Sequence, residues 1–147
     1  VGRKVKRDQG KTAKSYIAEM RAIGDAADGL EAPCAEIGSN LIRAIDALTE
    51  ATDWLIDNGG KTPALAFAGA TAYLELFGNV AGGAMMTRAA SAASAALEVD
   101  DGNQDFYKTK LATARFYAEH VLPKSEGLAA SITKGADSFL SLPEDAF

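Results

Sequence analysis

Apolar residues recur along the first stretch of the chain at Val5, Ala13, Tyr16, Ile17, Met20 and Ile23. Steps of three and four put them on one stripe of a helix, so the pattern predicts an amphipathic helix from about Gly2 to Ala27. Gly29 in "ADGLEAP" suits a left-handed cap at its end, and Pro33 fits the first turn of the next helix. That second helix is expected over residues 31–58, with Cys34, Ile37, Leu41, Ala44 or Ile45, Leu48, Thr52 and Leu55 as a heptad-like seam. Arg43, Asp46, Glu50 and Asp53 interleave on its outer side. Asn58, Gly59 and Gly60 stop this helix, Thr62 caps the third, and Pro63 takes its first position.

The third helix, 63–98, is apolar nearly all round and is therefore expected to be central. Leu65, Gly69, Ala72, Leu76, Gly83, Met86 and Ala90 make one contact row. Its glycines, Gly69, Gly78, Gly82 and Gly83, follow no strand and lack phosphate-loop spacing. Close approach of a neighbouring backbone explains Gly78 and Gly82 better than a nucleotide does. "LEVDDGNQD" reads as a loop in which the carboxylate pair Asp100 and Asp101 serves turn formation. A fourth helix puts Phe106, Tyr107, Leu111, Ala114, Ala118 and Val121 inward, and Pro123 ends it or begins the next. A fifth carries Leu128, Ile132, Ala136 and Phe139, and residues 142–147 form a tail. No period-2 segment or internal repeat is visible. The fold class is all-α: one domain over residues 1–147, an antiparallel up-and-down bundle of four to five helices.

Composition agrees and narrows the partners. At 147 residues the chain can bury roughly two thirds of its unfolded surface, and 48% hydrophobic with 24% charged residues is ordinary for a globular domain. A net charge of −5 argues against general nucleic-acid binding, which depends on neutralising phosphates. The start is nevertheless basic, with Arg3, Lys4, Lys6, Arg7, Lys11 and Lys14. Arg3, Arg7, Lys11 and Lys14 fall at helical spacing as one stripe, either a solvated face or a docking surface for an acidic partner. The single Cys34 excludes an internal disulfide and sits among apolar positions, which suits a buried thiol in a reducing, cytoplasmic setting. No apolar segment follows the basic start as a signal peptide requires, and no apolar run is long enough to span a bilayer.

Candidate chemistry concentrates in "KLATARFYAEHVLP", which holds the only histidine. Without a second histidine, His120 cannot build a di-iron pair of Glu-x-x-His motifs, and no carboxylate spacing suggests zinc. Glu119 lies about 100° round the helix from it. His120 and Arg115 instead stand near a helix end, where positive charge meets free carbonyls. Tyr73, Phe77 and Tyr107 are expected to form a core aromatic cluster, with Trp54 and Asp53 near the end of the second helix. Residue chemistry alone yields no catalytic, cofactor-binding or metal site, and the histidine-bearing stretch reads as a packing seam.

Three stretches, taken together, resemble a known family: "NGGKTPALAFAGATAYLELFGNVAGGAMM", "KTKLATARFYAEHVLP" and the opening "VGRKVKRDQG". They are similar to the extra C-terminal helical domain of acyl-CoA dehydrogenase flavoenzymes, in the branch resembling 3-methylmercaptopropionyl-CoA dehydrogenase. The likeness rests on Tyr73, Leu74, Gly78, Gly82 and Gly83, and on Lys110, Ala114, Arg115, Tyr117 and Leu122. It departs at Ala84, where a large aromatic often follows the paired glycines. The resemblance implies a parent enzyme that removes the α-proton of an acyl-CoA thioester with a glutamate and passes the β-hydrogen to FAD as hydride. A 2-enoyl-CoA is left, and an electron-transfer flavoprotein takes the electrons. In this branch the glutamate precedes a "VGRK"-like segment, which places it before Val1, with the flavin domain further upstream.

The resemblance therefore implies no cofactor in this stretch and packing against the upstream domains of its own chain, the basic first helix continuing from the catalytic bundle. A homo-oligomer is expected, with no nucleic acid and no membrane span. The alternative is a free-standing helical-bundle binding or scaffold protein without enzymatic activity; a small metal-binding bundle is a third reading.

Overall fold

The computed structural model describes residues 8–59, 61–99 and 102–135, with 138 and 141. Arg3, Lys4, Val5, Lys6, Arg7, Gly60, Asp100, Asp101, Ala136, Phe139 and the tail at 142–147 lie outside the described residues, and so do the expectations placed on them. The described residues hold no strand. Their helices are α1 (Lys11–Asp28), α2 (Cys34–Gly59), α3 (Pro63–Ala68), α4 (Ala70–Leu97), α5 (Gln104–His120) and α6 (Lys124–Lys134). Gly69 alone separates α3 from α4, so the bundle has five helices when these two are taken together.

The expected first helix does not run through from Gly2. Gln9 and Gly10 have positive φ, 54° and 75°, which stops an α-helix. Thr12's hydroxyl and amide and Gly10's amide donate to the Asp8 carboxylate, closing a turn from which α1 starts. Gly10 is pressed on the chain end of α2, where an added Cβ would stand 2.3 Å from Ile56 Cδ1. Of the basic stripe, α1 carries Lys11 and Lys14.

α1 and α2 run antiparallel. Lys14 pairs with Asp53 at 2.7 Å, Arg21 with Asp46, and Asp28 accepts from Ser39, so the partners retreat along α2 as α1 advances. The Asp53 hydrogen bond and charge hold the Lys14 ammonium above its ordinary pKa. Where the helices cross, a Cβ on Gly38 would meet the Asp28 amide nitrogen at 2.5 Å and the Gly24 carbonyl oxygen at 2.8 Å. Only glycine lets the two backbones approach so closely.

The seam expected on α2 is realised: Cys34, Ile37, Leu41, Ala44, Ile45, Leu48, Thr52 and Leu55 are all buried. A buried leucine side chain contributes about 1.5–3 kcal/mol of transfer free energy, so this row is the axis of the core. Thr52 is satisfied within it. Its hydroxyl donates to the Leu48 carbonyl at 2.7 Å, which leaves its oxygen to accept from the Tyr73 hydroxyl at 2.9 Å.

Both α2 and α4 touch every other described helix, but the single long apolar helix expected over 63–98 is divided at Gly69, and α4 is its larger part. It is not buried all round. Tyr73, Leu76, Val80, Gly83, Ala84, Thr87, Ala90 and Ala93 face the core, while Leu74 and Met85 face outward. Small residues, Ala and Gly, make the whole helix read as apolar; a bundle of this thickness can cover only one side of it. Two placements also change. Phe106, expected inside, is exposed, and Tyr107 meets Phe106 at 5.7 Å rather than joining Tyr73 and Phe77. The aromatic cluster instead recruits Tyr16 from α1, stacked 6.0 Å from Phe77, which in turn stands edge-on to Tyr73 at 5.9 Å.

Candidate functional site

α5 carries most of the stretch in which candidate chemistry concentrates, so its two faces decide the matter. Ala114, Ala118 and, just past the helix, Leu122 are buried; Leu111 and Tyr117 are half-buried against the same core. Small residues on the inner stripe let α5 lie close to α4, and large ones lock it in place. Tyr117 donates its hydroxyl to the Asn79 carbonyl at 3.0 Å. The same hydroxyl would be 2.5 Å from a Cβ on Gly82, and Leu122 Cδ2 would be 2.6 Å from one on Gly83. The paired glycines thus make room for side chains of the α5 region, not for a neighbouring backbone as expected. Gly78 makes room for nothing: no heavy atom lies within 4 Å of its Cβ position. Ala84, at which this chain departs from the resemblance by lacking a large aromatic, is fully buried.

His120 and Arg115 lie on the outer face of α5, both exposed. His120 closes the last turn, with its ring 4.6 Å from the exposed ring of Phe116. Arg115 Nε donates to Glu119 at 2.6 Å, one turn on, and its guanidinium stands 3.9 Å from Glu36 of α2. Glu119's hydrogen bond, then its charge and that of Glu36, hold the arginine above its ordinary pKa. These are solvent-screened pairs that steer α5 onto α2 with little energetic weight. The expected helix-end placement of His120 is correct, while the packing seam is the opposite face of the same helix.

Elsewhere too, no charged side chain among the described residues is buried. Arg43, Asp46, Glu50, Glu126 and Lys134 rim a groove between α2 and α6 floored by Ala47, Ala129 and Ala130. Charges of both signs face one another across it, and Asp46 is already engaged by Arg21. Cys34 is buried at the start of α2, away from solvent. Among the described residues no three His, Cys, Asp or Glu side chains gather as a metal site would require, and no helix is long and apolar enough to cross a membrane. The Gly24–Gly38 crossing is not foreseeable from periodicity; its only signal is glycine inside two helices with no cap to form.

Comparison with known proteins gives this bundle its relatives. Residues 16–143 match the sequence model of a family described as acetyl-CoA dehydrogenase C-terminal like. Over 143 residues, 96% of this chain, the sequence is 36% identical to a 3-methylmercaptopropionyl-CoA dehydrogenase of Ruegeria pomeroyi. The chain spans about a quarter of that relative's length, 24%. With α2 to α6, most of α1, the α5 seam and the paired glycines inside the matched region, the chain belongs to the acetyl-CoA dehydrogenase C-terminal-like family.

Proposed function

We propose that this chain is the C-terminal helical domain of a larger FAD-dependent acyl-CoA dehydrogenase that desaturates an acyl-CoA thioester between its α and β carbons. The domain contributes packing surface, and the catalytic glutamate and flavin site belong to the preceding part of the polypeptide. One observation carries this reading: the family match covers residues 16–143, while the curated dehydrogenase relative is about four times as long as this chain. The outward placement of His120 and Arg115 supports it, since neither stands in a cavity where a substrate could meet them.

The α2–α6 groove is a poor match for a flavin. It offers a mixed-charge rim over alanines, without the apolar slot that an isoalloxazine ring needs. No hydride or proton step is assigned to the described residues. An electron-transfer flavoprotein as the electron acceptor, a homo-oligomeric parent and a cytoplasmic setting complete the proposal.

The test compares two proteins. The full polypeptide encoded with this chain should purify yellow and convert acyl-CoA to enoyl-CoA with an artificial electron acceptor. The chain alone should be colourless and inactive. Flavin retained by the chain alone, or a gene with no dehydrogenase segment preceding it, overturns the proposal.

A further inference from the structure

We infer that the outer face of α4, from Leu74 through Gly78 to Met85 and continued by Phe67 of α3, is where the domain seats against the preceding part of its own polypeptide. This deepens the proposed function and rests on it. At 100° per residue Leu74, Gly78, Ala81 and Met85 share one side of α4. From Phe67 to Met85 that side is apolar, with exposed Arg88 following one turn on: Phe67 is 68% exposed, Leu74 72% and Met85 44%, while Ala81 between them rests on the core. Between Thr71 and Met85 the single charged residue is Glu75. Apolar side chains scattered singly are normal on a surface, but a continuous row of this kind marks a face that is covered in the working protein.

Gly78 adds a second, independent observation. Glycine inside a helix weakens it relative to alanine. Gly82 and Gly83 are required by Tyr117 and Leu122, but nothing in this chain comes within 4 Å of a Cβ at Gly78. A glycine on an exposed face with no neighbour of its own is explained by a close approach from outside, with Leu74 and Met85 closing on either side.

Where the chain comes in identifies the occupant. Gly10 lies on Ile56, Lys14 reaches Asp53, and Tyr16 stacks on Phe77, so the described chain begins at the bundle end where α3 and α4 begin. Phe67 and Leu74 belong to that same end of the bundle. The curated relative has about three quarters of its length outside the aligned part, ample to cover this face. A tethered segment meets the face at a high effective concentration and outcompetes a second copy of the domain.

The experiment uses the full polypeptide with a photo-reactive benzoylphenylalanine at Leu74, and at exposed Glu19 of α1 as a control. Peptide mapping should find Leu74 joined to residues preceding this domain in the same chain. A Leu74 cross-link to a second copy, or none at all, overturns the inference. A second variant, Gly78→Arg, has room for its side chain and should keep the helical circular-dichroism signal. In the full polypeptide it should raise amide hydrogen exchange over residues 71–88 by about tenfold or more as the face is uncovered. Unchanged exchange counts against the inference. The two readings separate cleanly: a yellow, active polypeptide with Leu74 free defeats only this one, whereas a polypeptide without flavin chemistry defeats the proposed function.

Discussion

Gly38 and Gly78 are both glycines in the interior of long helices, and replacing each with alanine should move stability in opposite directions. Helix propensity alone favours alanine by about 1 kcal/mol at either position. At Gly78 nothing opposes that gain, because the Cβ position has no heavy atom within 4 Å. At Gly38 the new methyl would sit 2.5 Å from the Asp28 nitrogen and 2.8 Å from the Gly24 oxygen. Both are backbone atoms of the α1 side and cannot rotate away, so α1 must retreat from a core in which Met20 and Ala27 are buried. Overpacking of this kind costs about 1–3 kcal/mol, and a backbone clash belongs at the upper end. The net loss for Gly38→Ala is therefore about 2 kcal/mol. In a domain of this size each kcal/mol moves Tm by about 2–4 °C. Far-UV circular-dichroism melts of the chain should show Gly38→Ala lower by about 4–8 °C and Gly78→Ala higher by about 2–4 °C. A Gly38→Ala protein as stable as the wild type would refute the close crossing. A destabilised Gly78→Ala would refute the open face.

Leu48 is fully buried on α2, so Leu48→Ala should lose about 2–5 kcal/mol in urea unfolding, and a loss below about 1 kcal/mol contradicts its place in the core. Burial holds the Tyr73 phenol above its ordinary pKa, partly offset by the Thr52 hydrogen bond. A folded pKa raised this way gives stability that is complete below the unfolded value near 10 and is lost as pH rises through the folded value. Chemical unfolding at rising alkaline pH should accordingly weaken the wild type more steeply than Tyr73→Phe; equal slopes would count against a buried, neutral phenol. His120→Ala should change stability by no more than about 0.5 kcal/mol. It should also leave the full polypeptide's turnover intact, and an about tenfold fall in kcat would give the imidazole a role that its exposed position denies it.

Periodicity alone makes most of the bundle legible. The α2 seam from Cys34 to Leu55 is buried residue for residue, because steps of three and four can bury a stripe only on a helix, and only inward. Helix-end signals mark the breaks: Pro63 begins α3 next to Thr62 and Pro123 stands just before α6, although Gly29 ends α1 in a right-handed and not the expected left-handed conformation. The resemblance carried by "YLELFGNVAGG" and "KTKLATARFYAEHVLP" leads to the family, since both stretches lie within the matched region.

What the sequence could not decide was anything set by a partner distant along the chain. Phe106 has the spacing of an inward residue and faces water, because no neighbouring helix covers that position of α5. α1 stops at Lys11 because Gly10 must turn against Ile56, a contact between residues far apart in the chain. The glycines of α4 look alike in one dimension, yet Tyr117 occupies the space over Gly82, Leu122 the space over Gly83, and nothing the space over Gly78. Hydrophobic pattern, composition and motif thus determined on their own that the chain is helical, which stripe of α2 faces inward, and which family it joins. Which glycines are needed, which side of α4 stays open and where His120 points were decided only by tertiary packing, because steric contact depends on what stands across the gap and not on the residue's own neighbours in sequence.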